Sequence, residues 1–476
     1  MEYLRNQKKT KIVATISDRN CSTEFIKRLY HAGMDVVRLN SAHQEISDAE
    51  GVIDMVRSVS DEIAILIDTK GPEIRTTTVE PAIEVQAGDI IEIKSDPTCS
   101  AHDRTIYVNY TGFVDDVQTG TLILIDDGYM EFNVVDKKED TLYCEAITSG
   151  FLKSRKSVNV PKTSFNLPSL NEKDKAFIRF AAEKQIDFIA HSFVRHKEDV
   201  MAVQQELDKY NSDIKIIAKI ENQQGVDHLA EILDHAYGIM VARGDLAVEI
   251  PFERIPGVQR DIIKMCNERK KPVIVATQML HSMIHQSRPT RAEVNDVASA
   301  IFRRTDAVML SGETAFGAFP VESVATMKKI AIEVEKSKED NLEYTFVDKQ
   351  RKIPSHLAKY AVEASMDLNA RAIIADTNTG RTPRSLSSYH GKKPVIALCY
   401  SRRTMRELAL SYGVIPMFME PRSTPQEFIR NAINNLRLKF HVPDDSLIVV
   451  IAGSFGYTNG ASYVEIGTVE NLIKSH

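Results

Sequence analysis

The chain has 476 residues, of which 60 are basic and 66 are acidic, giving a formal net charge of −6. This length is too great for one ordinary domain and allows two or three domains with full hydrophobic cores. The charge is mild and shows no long block of one sign, which argues against a nucleic-acid partner.

The basic start, MEYLRNQKKTK, is followed by only a short apolar run, so we expect no signal peptide. No apolar run approaches the roughly 20 residues that a membrane-spanning helix needs. The five cysteines are scattered and form no CxxC pair, which favours reduced thiols over a disulfide frame or a zinc site. We therefore expect a soluble protein of the cytoplasm with no membrane partner.

Short β-branched runs alternate with amphipathic helical patterns from residue 11 onward, which is typical of a parallel sheet with helical crossovers. The predicted strands are KIVAT, DVVRLN, AILIDT, DFIAHSF, IKIIAKIE, YGIMVAR, PVIVATQ and DAVMLS. Segments such as NEKDKAFIRFAAEKQ and TRAEVNDVASAIFRR have helical periodicity and begin at Asn or Thr caps. Eight strand and helix units predict an α/β fold of the TIM (β/α)8 barrel type, with a doubly wound open sheet as the alternative.

Residues 71–161, between the third and fourth of these strands, read instead as short alternating runs separated by Gly, Asp and Asn turns. We predict that they form a small all-β barrel inserted as a lid into a catalytic barrel of residues 1–70 and 162–340. The charged stretch from Lys336 to Lys352 reads as a linker or an irregular helix end. Residues 350–476 then predict a separate α/β domain with strands RAIIADT, PVIALCY, IPMFM and SLIVVIAG.

Polar residues stand at the predicted carboxyl ends of six barrel strands, where a TIM barrel carries its active site. These ends are Arg38-Leu39-Asn40, Asp68-Thr69-Lys70, Lys219-Ile220-Glu221, Arg243-Gly244-Asp245, Thr277-Gln278 and Ser311-Gly312-Glu313. Any one of them is more often a structural ion pair than a catalyst, but six together favour an active site. Residues two apart on a strand share a face, so each triplet can direct two side chains into one site.

The residue types at these ends point to phosphoryl chemistry. Glu221 and Asp245 offer the hard oxygen ligands that Mg²⁺ takes together with substrate oxygens and water. Arg38 and Lys219 suit a phosphoryl group, whose transfer depends on positioning and on charge neutralisation. Gly244 either lets the main chain approach a ligand closely or meets the requirement of a turn. The sequence does not decide between these two roles. No GxxxxGK[ST] or strand-following GxGxxG occurs, which removes the main support for P-loop, Rossmann and protein-kinase readings.

Six strings along the chain resemble the signatures of the pyruvate kinase family and occur in that family's order. They are DTKGPEIR, AKIENQQGV, IMVARGDLAVEIP, ATQML, RPTRAEV and MLSGETA. The resemblance implies a phosphotransferase of glycolysis that moves a phosphoryl group from phosphoenolpyruvate to ADP and yields pyruvate and ATP. It also implies a homotetramer.

The resemblance further implies roles for the residues at the strand ends. Arg38 would bind the phosphoryl end of phosphoenolpyruvate, and Lys219 would stabilise the phosphoryl group in transfer. Glu221 and Asp245 would hold Mg²⁺ or Mn²⁺. Main-chain groups of Gly244 and Asp245 would contact the substrate carboxylate, with Thr277 near the enolpyruvate.

Two further sites follow from the same resemblance. A K⁺ site falls on Asn40, Asp68 and Thr69. The nucleotide side of the cleft falls on Arg75, His43 and Lys173.

Two residues give opposite indications about the monovalent cation. Most relatives carry a serine ligand where this chain has Ala42, so one K⁺ ligand is missing unless Ser41 or water replaces it. Glu73 is the residue type associated with K⁺ dependence in the family, and it supports a K⁺ requirement.

The C-terminal domain carries a hydroxyl- and glycine-rich loop, TNTGRT, after a predicted strand and before a predicted helix. It matches the family's sugar-phosphate effector loop, and a plain helix cap is the alternative. The effector residues implied are Thr377, Thr379, Gly380, Arg381 and Thr382. The opposing loop from Gly453 to Thr458 lacks the arginine and tryptophan that some relatives use for fructose 1,6-bisphosphate, so the phosphorylated effector stays unidentified.

Two other functions remain as alternatives at this point. A TIM-barrel metal-dependent lyase or aldolase would also hold an enolate beside Mg²⁺, but it gives no role to the inserted domain or to Arg75. A catalytically inactive metabolite sensor is the other, and the presence of Lys219, Glu221, Asp245 and Thr277 argues against it.

Overall fold

The structure, a computed structural model, describes residues 8–18, 21–337, 352–420, 424–453 and 460–475. Its strands, in chain order, are β1 (Lys11–Thr15), β2 (Val36–Asn40), β3 (Ala64–Asp68), β4 (Ile83–Val85), β5 (Ile90–Ser95), β6 (Thr105–Val108), β7 (Leu122–Ile125), β8 (Met130–Lys138), β9 (Thr141–Ala146), β10 (Gly150–Leu152), β11 (Val158–Asn159), β12 (Phe188–His191), β13 (Lys215–Ile220), β14 (Gly238–Ala242), β15 (Val273–Ala276), β16 (Ala307–Leu310), β17 (Ala372–Thr377), β18 (Val395–Cys399), β19 (Val414–Phe418), β20 (Leu447–Ala452) and β21 (Tyr463–Thr468).

The α-helices, in chain order, are α1 (Thr23–Ala32), α2 (Ile46–Val59), α3 (Phe113–Asp116), α4 (Glu172–Glu183), α5 (Lys197–Asp208), α6 (Gln223–Asp227), α7 (Leu229–His235), α8 (Arg243–Glu249), α9 (Ile255–Glu268), α10 (Arg291–Phe302), α11 (Gly312–Ala315), α12 (Pro320–Ser337), α13 (Lys352–Asp367), α14 (Arg381–Ser387), α15 (Arg402–Glu407), α16 (Pro425–Phe440) and α17 (Val469–Ser475). Short 3₁₀ helices span Phe252–Arg254, His281–Ile284 and Leu408–Leu410.

Eight parallel strands close into a barrel in the order β1-β16-β15-β14-β13-β12-β3-β2. Nearly every strand residue is buried, because one face fills the barrel interior and the other packs under the helices. The helices begin where the sequence predicted, since Asn171 and Thr290 each cap the third N–H of their helix in a capping box. The TIM-barrel prediction is confirmed, and the open-sheet alternative is wrong.

The inserted region between β3 and β12 has its own apolar core and a six-stranded sheet, ordered β11-β7-β8-β9-β5-β6, beside a two-stranded one. Residues 74–77 join the two edges of the larger sheet. Ile74 O accepts from Val158 N at 2.8 Å on one side, and Arg75 O accepts from Asn109 N at 3.0 Å on the other. The sheet therefore closes into a small barrel, as predicted.

The C-terminal region forms a five-stranded sheet, ordered β19-β18-β17-β20-β21, with apolar clusters on both faces. The last strand, β21, is antiparallel and was not predicted. This region packs on the strand starts of the barrel, where Arg406 Nε lies 2.6 Å from Asp187 Oδ1 just before β12. Residues 338–351, most of the predicted linker, lie outside the described residues.

None of the helices in the described ranges is long and apolar enough to cross a membrane. The active-site end of the barrel, which we call the barrel mouth, faces away from the C-terminal sheet and carries the carboxyl ends of the strands. The predicted site residues from β2, β3, β13, β14 and β15 therefore meet at this mouth.

Candidate active site

Four predicted charged residues form one buried cluster at the barrel mouth. Lys219 Nζ lies 3.0 Å from Asp68 Oδ1 and 3.0 Å from Glu221 Oε1. Arg38 binds the other oxygen of Asp68, with both Nε and Nη2 at 2.7 Å from Oδ2. All four residues are more than nine-tenths buried. Their charges are therefore stabilised by one another rather than by water.

Burial and pairing set opposite protonation tendencies within this cluster. Burial alone would raise the pKa of Asp68, but the charges of Arg38 and Lys219 outweigh it and lower that pKa. Burial alone would lower the pKa of Lys219. The carboxylates of Asp68 and Glu221 outweigh burial and raise that pKa above its usual value. At working pH the cluster thus contains a firmly charged ammonium and a firmly charged carboxylate.

Glu221 and Asp245 behave differently from Asp68. Burial raises the pKa of Glu221 to about 7 despite the opposing charge of Lys219, and the charge of Asp245 adds to the rise. Burial likewise raises the pKa of Asp245, although Lys219 again opposes it. Two buried carboxyl groups with too little positive charge between them suit a divalent cation.

A third cation ligand from the protein would not be needed at such a site. The described residues contain no group of three or more His, Cys, Asp and Glu side chains that could hold a metal. Two carboxylates fit Mg²⁺, which usually keeps water and substrate oxygens in its shell.

The turn predicted to bind substrate combines Gly244 at the start of α8 with Thr277 after β15. Gly244 N donates to Thr277 Oγ1 at 2.8 Å. Thr277 has φ of +69° and the next residue, Gln278, has φ of +52°, so the turn is strained. Arg243 holds it by donating to Thr277 O at 2.6 Å while pairing with Asp296.

The residues predicted to bind K⁺ lie beside the charged cluster. Asn40 and Asp68 are paired across β2 and β3, and Asn40 Oδ1 accepts from Ala42 N at 3.1 Å. The Ser41 hydroxyl donates to Asp68 O at 2.8 Å, which places its oxygen beside the end of β3. The Thr69 hydroxyl lies 3.1 Å from Nδ1 of buried His191.

Glu73 and Arg75 form a two-point ion pair, with Nε to Oε2 at 2.7 Å and Nη2 to Oε1 at 2.8 Å. The hydrogen bond and the charge of Glu73 raise the pKa of Arg75, although burial opposes this by disfavouring the charged guanidinium. Glu73 lines a cavity of ≈ 380 Å³ between the inserted sheet and the barrel mouth, and Asp245 and Glu249 line it as well. Across the same cavity Asn159 Nδ2 of the inserted region donates to Glu249 Oε1 at 3.0 Å.

The other two predicted nucleotide contacts make no contact with the charged cluster in the described structure. The His43 side chain is exposed, and its main-chain N–H donates to Asn40 O at 3.1 Å. Lys173 pairs with Glu45 at 3.0 Å at the start of α4. Both stay open to solvent at the rim.

The end of strand β16 serves a structural purpose. The buried Glu313 carboxylate accepts main-chain N–H groups of Leu280 at 3.1 Å and Ser311 at 2.8 Å. It therefore fixes the loops after β15 and β16, and it makes no ion pair within the described residues.

Sequence reasoning missed Ser192, which follows β12. Its hydroxyl accepts from Lys219 Nζ at 2.7 Å and lies 3.2 Å from Asp68 Oδ1. The signal was present, because His191-Ser192 is also a polar end of a barrel strand.

The C-terminal loop of the predicted effector residues has the conformation of a tight turn. Gly380 has φ of +72° and its N–H donates to the Thr377 hydroxyl at 2.8 Å. Thr379 is exposed, and Arg381 and Thr382 begin α14. The opposing loop lies outside the described residues from 454 to 459.

Comparisons with known proteins agree with this geometry. The family described as pyruvate kinase, barrel domain, matches residues 7–324, and the pyruvate kinase alpha/beta domain matches residues 355–466. A pyruvate kinase of Borreliella burgdorferi is 46% identical over 475 residues, covering 98% of each chain. One from Staphylococcus aureus is 40% identical over 457 residues, covering 94% of this chain and 78% of its own.

A solved structure gives the same answer for the fold. The crystal structure of a pyruvate kinase from Cryptosporidium parvum superposes with a TM-score of 0.93 at 34% identity and covers 98% of both chains. The chain therefore belongs to the pyruvate kinase family, the phosphotransferases of glycolysis that convert phosphoenolpyruvate and ADP into pyruvate and ATP.

Proposed function

We propose that the charged cluster at the barrel mouth carries out the phosphoryl transfer, with Lys219 as its central group. The observation that carries this proposal is the buried Lys219 ammonium, held at 3.0 Å from the carboxylates of both Asp68 and Glu221. Such an ammonium keeps its charge and needs no reorganisation when negative charge moves across it. Lys219 thus stabilises the transferring phosphoryl group, and Arg38 binds its oxygens in the ground state.

Glu221 and Asp245 are the proposed ligands of Mg²⁺ or Mn²⁺. Their raised pKa values support this role, because a bound cation would offset the cost of burying two negatively charged carboxylates. A divalent cation here supplies positive charge against the oxygens of the phosphorylated substrate.

The substrate carboxylate is proposed to bind main-chain N–H groups of Gly244 and Asp245 in the first turn of α8. In the described structure Gly244 N donates to Thr277 Oγ1, so a substrate carboxylate would take over this N–H. The Thr277 hydroxyl, which donates to Ala276 O at 2.6 Å, would then have its acceptor side free beside the enolpyruvate. The strained turn around Thr277 supports a functional role for this hydroxyl.

A K⁺ ion is proposed beside Asn40, Asp68 and Thr69. The Ser41 hydroxyl next to Asp68 O supports it as the replacement for the serine missing at position 42. Arg75 is the proposed principal contact to ADP, with His43 and Lys173 as rim contacts, since all three have exposed or half-exposed cationic or polar heads.

The remaining proposals concern the whole molecule. We divide it into a catalytic barrel of residues 1–70 and 162–340, a lid of residues 71–161 and a regulatory domain of residues 350–476. The turn at Thr377 to Thr382 is proposed to bind a phosphorylated effector. We also propose a homotetramer that works in the cytoplasm, supported by the large apolar residues left exposed on the described surface, such as Phe252 and Leu438.

A coupled assay of pyruvate release tests the catalytic proposal. Pyruvate should form from phosphoenolpyruvate only when ADP and Mg²⁺ are both present, and K⁺ should increase the rate. Pyruvate release without ADP would contradict phosphoryl transfer and favour a lyase.

A further inference from the structure

Lys219 uses two of its three N–H groups in hydrogen bonds within the described structure. An ammonium has three donors and no acceptor. Two of them donate to Asp68 Oδ1 at 3.0 Å and to Ser192 Oγ at 2.7 Å, and the ammonium also forms an ion pair with Glu221 Oε1 at 3.0 Å. Ser192 is therefore the uncharged member of a two-point attachment.

Among the described residues, the third N–H group of Lys219 is held only by the ion pair with Glu221. In the proposed function Glu221 binds the divalent cation, so this N–H is available to the phosphoryl group. Asp68 and Ser192 would remain as the two fixed points of the Lys219 ammonium. Two points define the direction of the third N–H, so the Ser192 hydroxyl would set where Lys219 aims.

Ser192 is itself fixed by the loop after β3. Its hydroxyl has one proton to donate, and Thr69 O at 2.7 Å is a nearer acceptor than Asp68 Oδ1 at 3.2 Å. Its main-chain N–H donates to Thr69 Oγ1 at 3.1 Å. Ser192 and Thr69 are thus joined at two points.

Close packing against Gly71 and a hydrogen bond from Phe193 also fix the turn that carries Ser192. A Cβ added to Gly71 would lie 2.8 Å from Ser192 Cβ, so the loop after β3 presses directly on Ser192. Phe193, at φ of +55°, directs its N–H to Glu221 Oε2 at 2.7 Å. One short turn after β12 therefore holds both Lys219 and Glu221.

We propose that Ser192 is a positioning residue for phosphoryl transfer, whose hydroxyl aims the Lys219 ammonium and ties its direction to the loop that carries Asp68 and Thr69. A neutral acceptor suits this task, because it fixes the ammonium without cancelling the charge that the phosphoryl group needs. The inference rests on the proposed role of Lys219. In addition, the loop proposed to bind K⁺ controls the orientation of the Lys219 ammonium through Ser192.

The test compares three substitutions at Ser192 that separate the hydroxyl from the space it fills. Ser192→Thr keeps a hydroxyl, Ser192→Val matches threonine in shape without one, and Ser192→Ala removes the hydroxyl and leaves room. We expect kcat to fall about tenfold to a hundredfold in the Ala and Val variants, with the KM for phosphoenolpyruvate changed less than about threefold. Ser192→Thr should keep kcat within about threefold of wild type and at least about fivefold above Ser192→Val.

Two further measurements exclude a merely structural effect. The K⁺ concentration for half activation should rise in Ser192→Ala, since the Thr69 loop loses one of its two attachments to Ser192. The control is Ser323→Ala, which removes an equally buried hydroxyl in the first turn of α12 that donates to Phe319 O at 2.7 Å and is not part of the charged cluster. Its kcat and K⁺ response should match wild type.

The outcomes distinguish a failure of the positioning role of Ser192 from a failure of the proposed function. Equal kcat values in the Thr and Val variants, or an unchanged kcat in Ser192→Ala, overturn the positioning role even if Lys219→Met is inactive. An active Lys219→Met overturns the proposed function itself. A loss of kcat in Ser192→Ala accompanied by an equal rise in KM would assign Ser192 to substrate binding and would also overturn the proposal.

Discussion

Asp68 and Asp376 occupy similar places in two different parallel sheets, one at the barrel mouth and one beside the C-terminal loop. Asp68 ends β3 and Asp376 is the next-to-last residue of β17. Arg38 and Lys219 overcome burial and lower the pKa of Asp68, whereas burial raises the pKa of Asp376 to about 6. Tyr400, with its hydroxyl at 3.5 Å, gives Asp376 only weak support.

The difference shows how the two regions hold their shape. At the barrel mouth the charges of several strand ends fix one another, and they are ready to meet a charged substrate. The C-terminal loop is held by a Gly380 turn and a threonine hydroxyl, and its nearby carboxyl group has no comparable cation among the residues that the structure describes. Substitutions at the mouth should therefore change chemistry, and those beside the loop should change stability or its pH dependence.

The largest effect is expected at Lys219. Lys219→Met should lower kcat by about a hundredfold or more while phosphoenolpyruvate binding, measured by calorimetry, is largely kept, because the ammonium acts on the transferring group. Lys11→Met is the matched control, since Lys11 is also buried but lies at the other end of the barrel and binds Val414 O. That variant should lose stability and keep kcat. More than a tenth of wild-type kcat in Lys219→Met would contradict the proposed role.

The next effect concerns the divalent cation. Glu221→Gln should raise the Mg²⁺ concentration for half activation about tenfold or more, because a neutral amide replaces one anionic ligand. Glu313→Gln serves as the control, as its buried carboxylate binds main-chain N–H groups instead. An identical Mg²⁺ titration in Glu221→Gln and wild type would move the cation site elsewhere.

A smaller effect is expected for the monovalent cation. Ala42→Ser should lower the K⁺ concentration for half activation a few-fold by restoring a hydroxyl ligand, and Glu73→Lys should approach K⁺ independence because a tethered ammonium replaces the ion. K⁺ titrations at fixed ionic strength, balanced with tetramethylammonium, measure both. Full wild-type activity without K⁺ would show that the Glu73 argument is wrong.

The smallest effect belongs to Asp376. Its folded pKa of about 6 exceeds the unfolded value of about 3.9, so protonation stabilises the fold below about pH 4, and this contribution is lost as the pH rises through 6. Asp376→Asn should therefore be more stable than wild type at pH 8 by about 1 to 3 kcal/mol and should match it at pH 4. Thermal unfolding across this range measures the difference. A variant less stable than wild type at pH 8 would indicate that the carboxylate is favourably bound.

Much of the barrel and its mouth was predictable because the information is local. Fully buried β-branched runs mark the strands, and closure of the barrel brings the following polar residues together without any further signal. Lys219 and Glu221 share one strand face, and they meet as that spacing predicts. The pairing of Arg38 with Asp68 across neighbouring strands follows from the same topology.

The rest depended on contacts that no local pattern carries. The inserted region showed only short alternating runs between turns, and that pattern does not reveal that a turn at Gln86 to Asp89 sends β4 and β5 into different sheets. Strand β21 owes its existence to antiparallel pairing with β20 at the sheet edge. The ion pair of Glu73 with Arg75 arises where the chain passes between two barrels, a path that neither residue predicts.

The closure of the inserted sheet by residues 74–77 has a consequence for aggregation. An open six-stranded sheet would present two edge strands whose free N–H and C=O groups can pair with another chain. In this region the chain that enters the domain hydrogen-bonds to both edges, through Val158 on one side and Asn109 on the other. The six-stranded sheet therefore has both of its edges covered by its own chain, which protects them from pairing with another molecule.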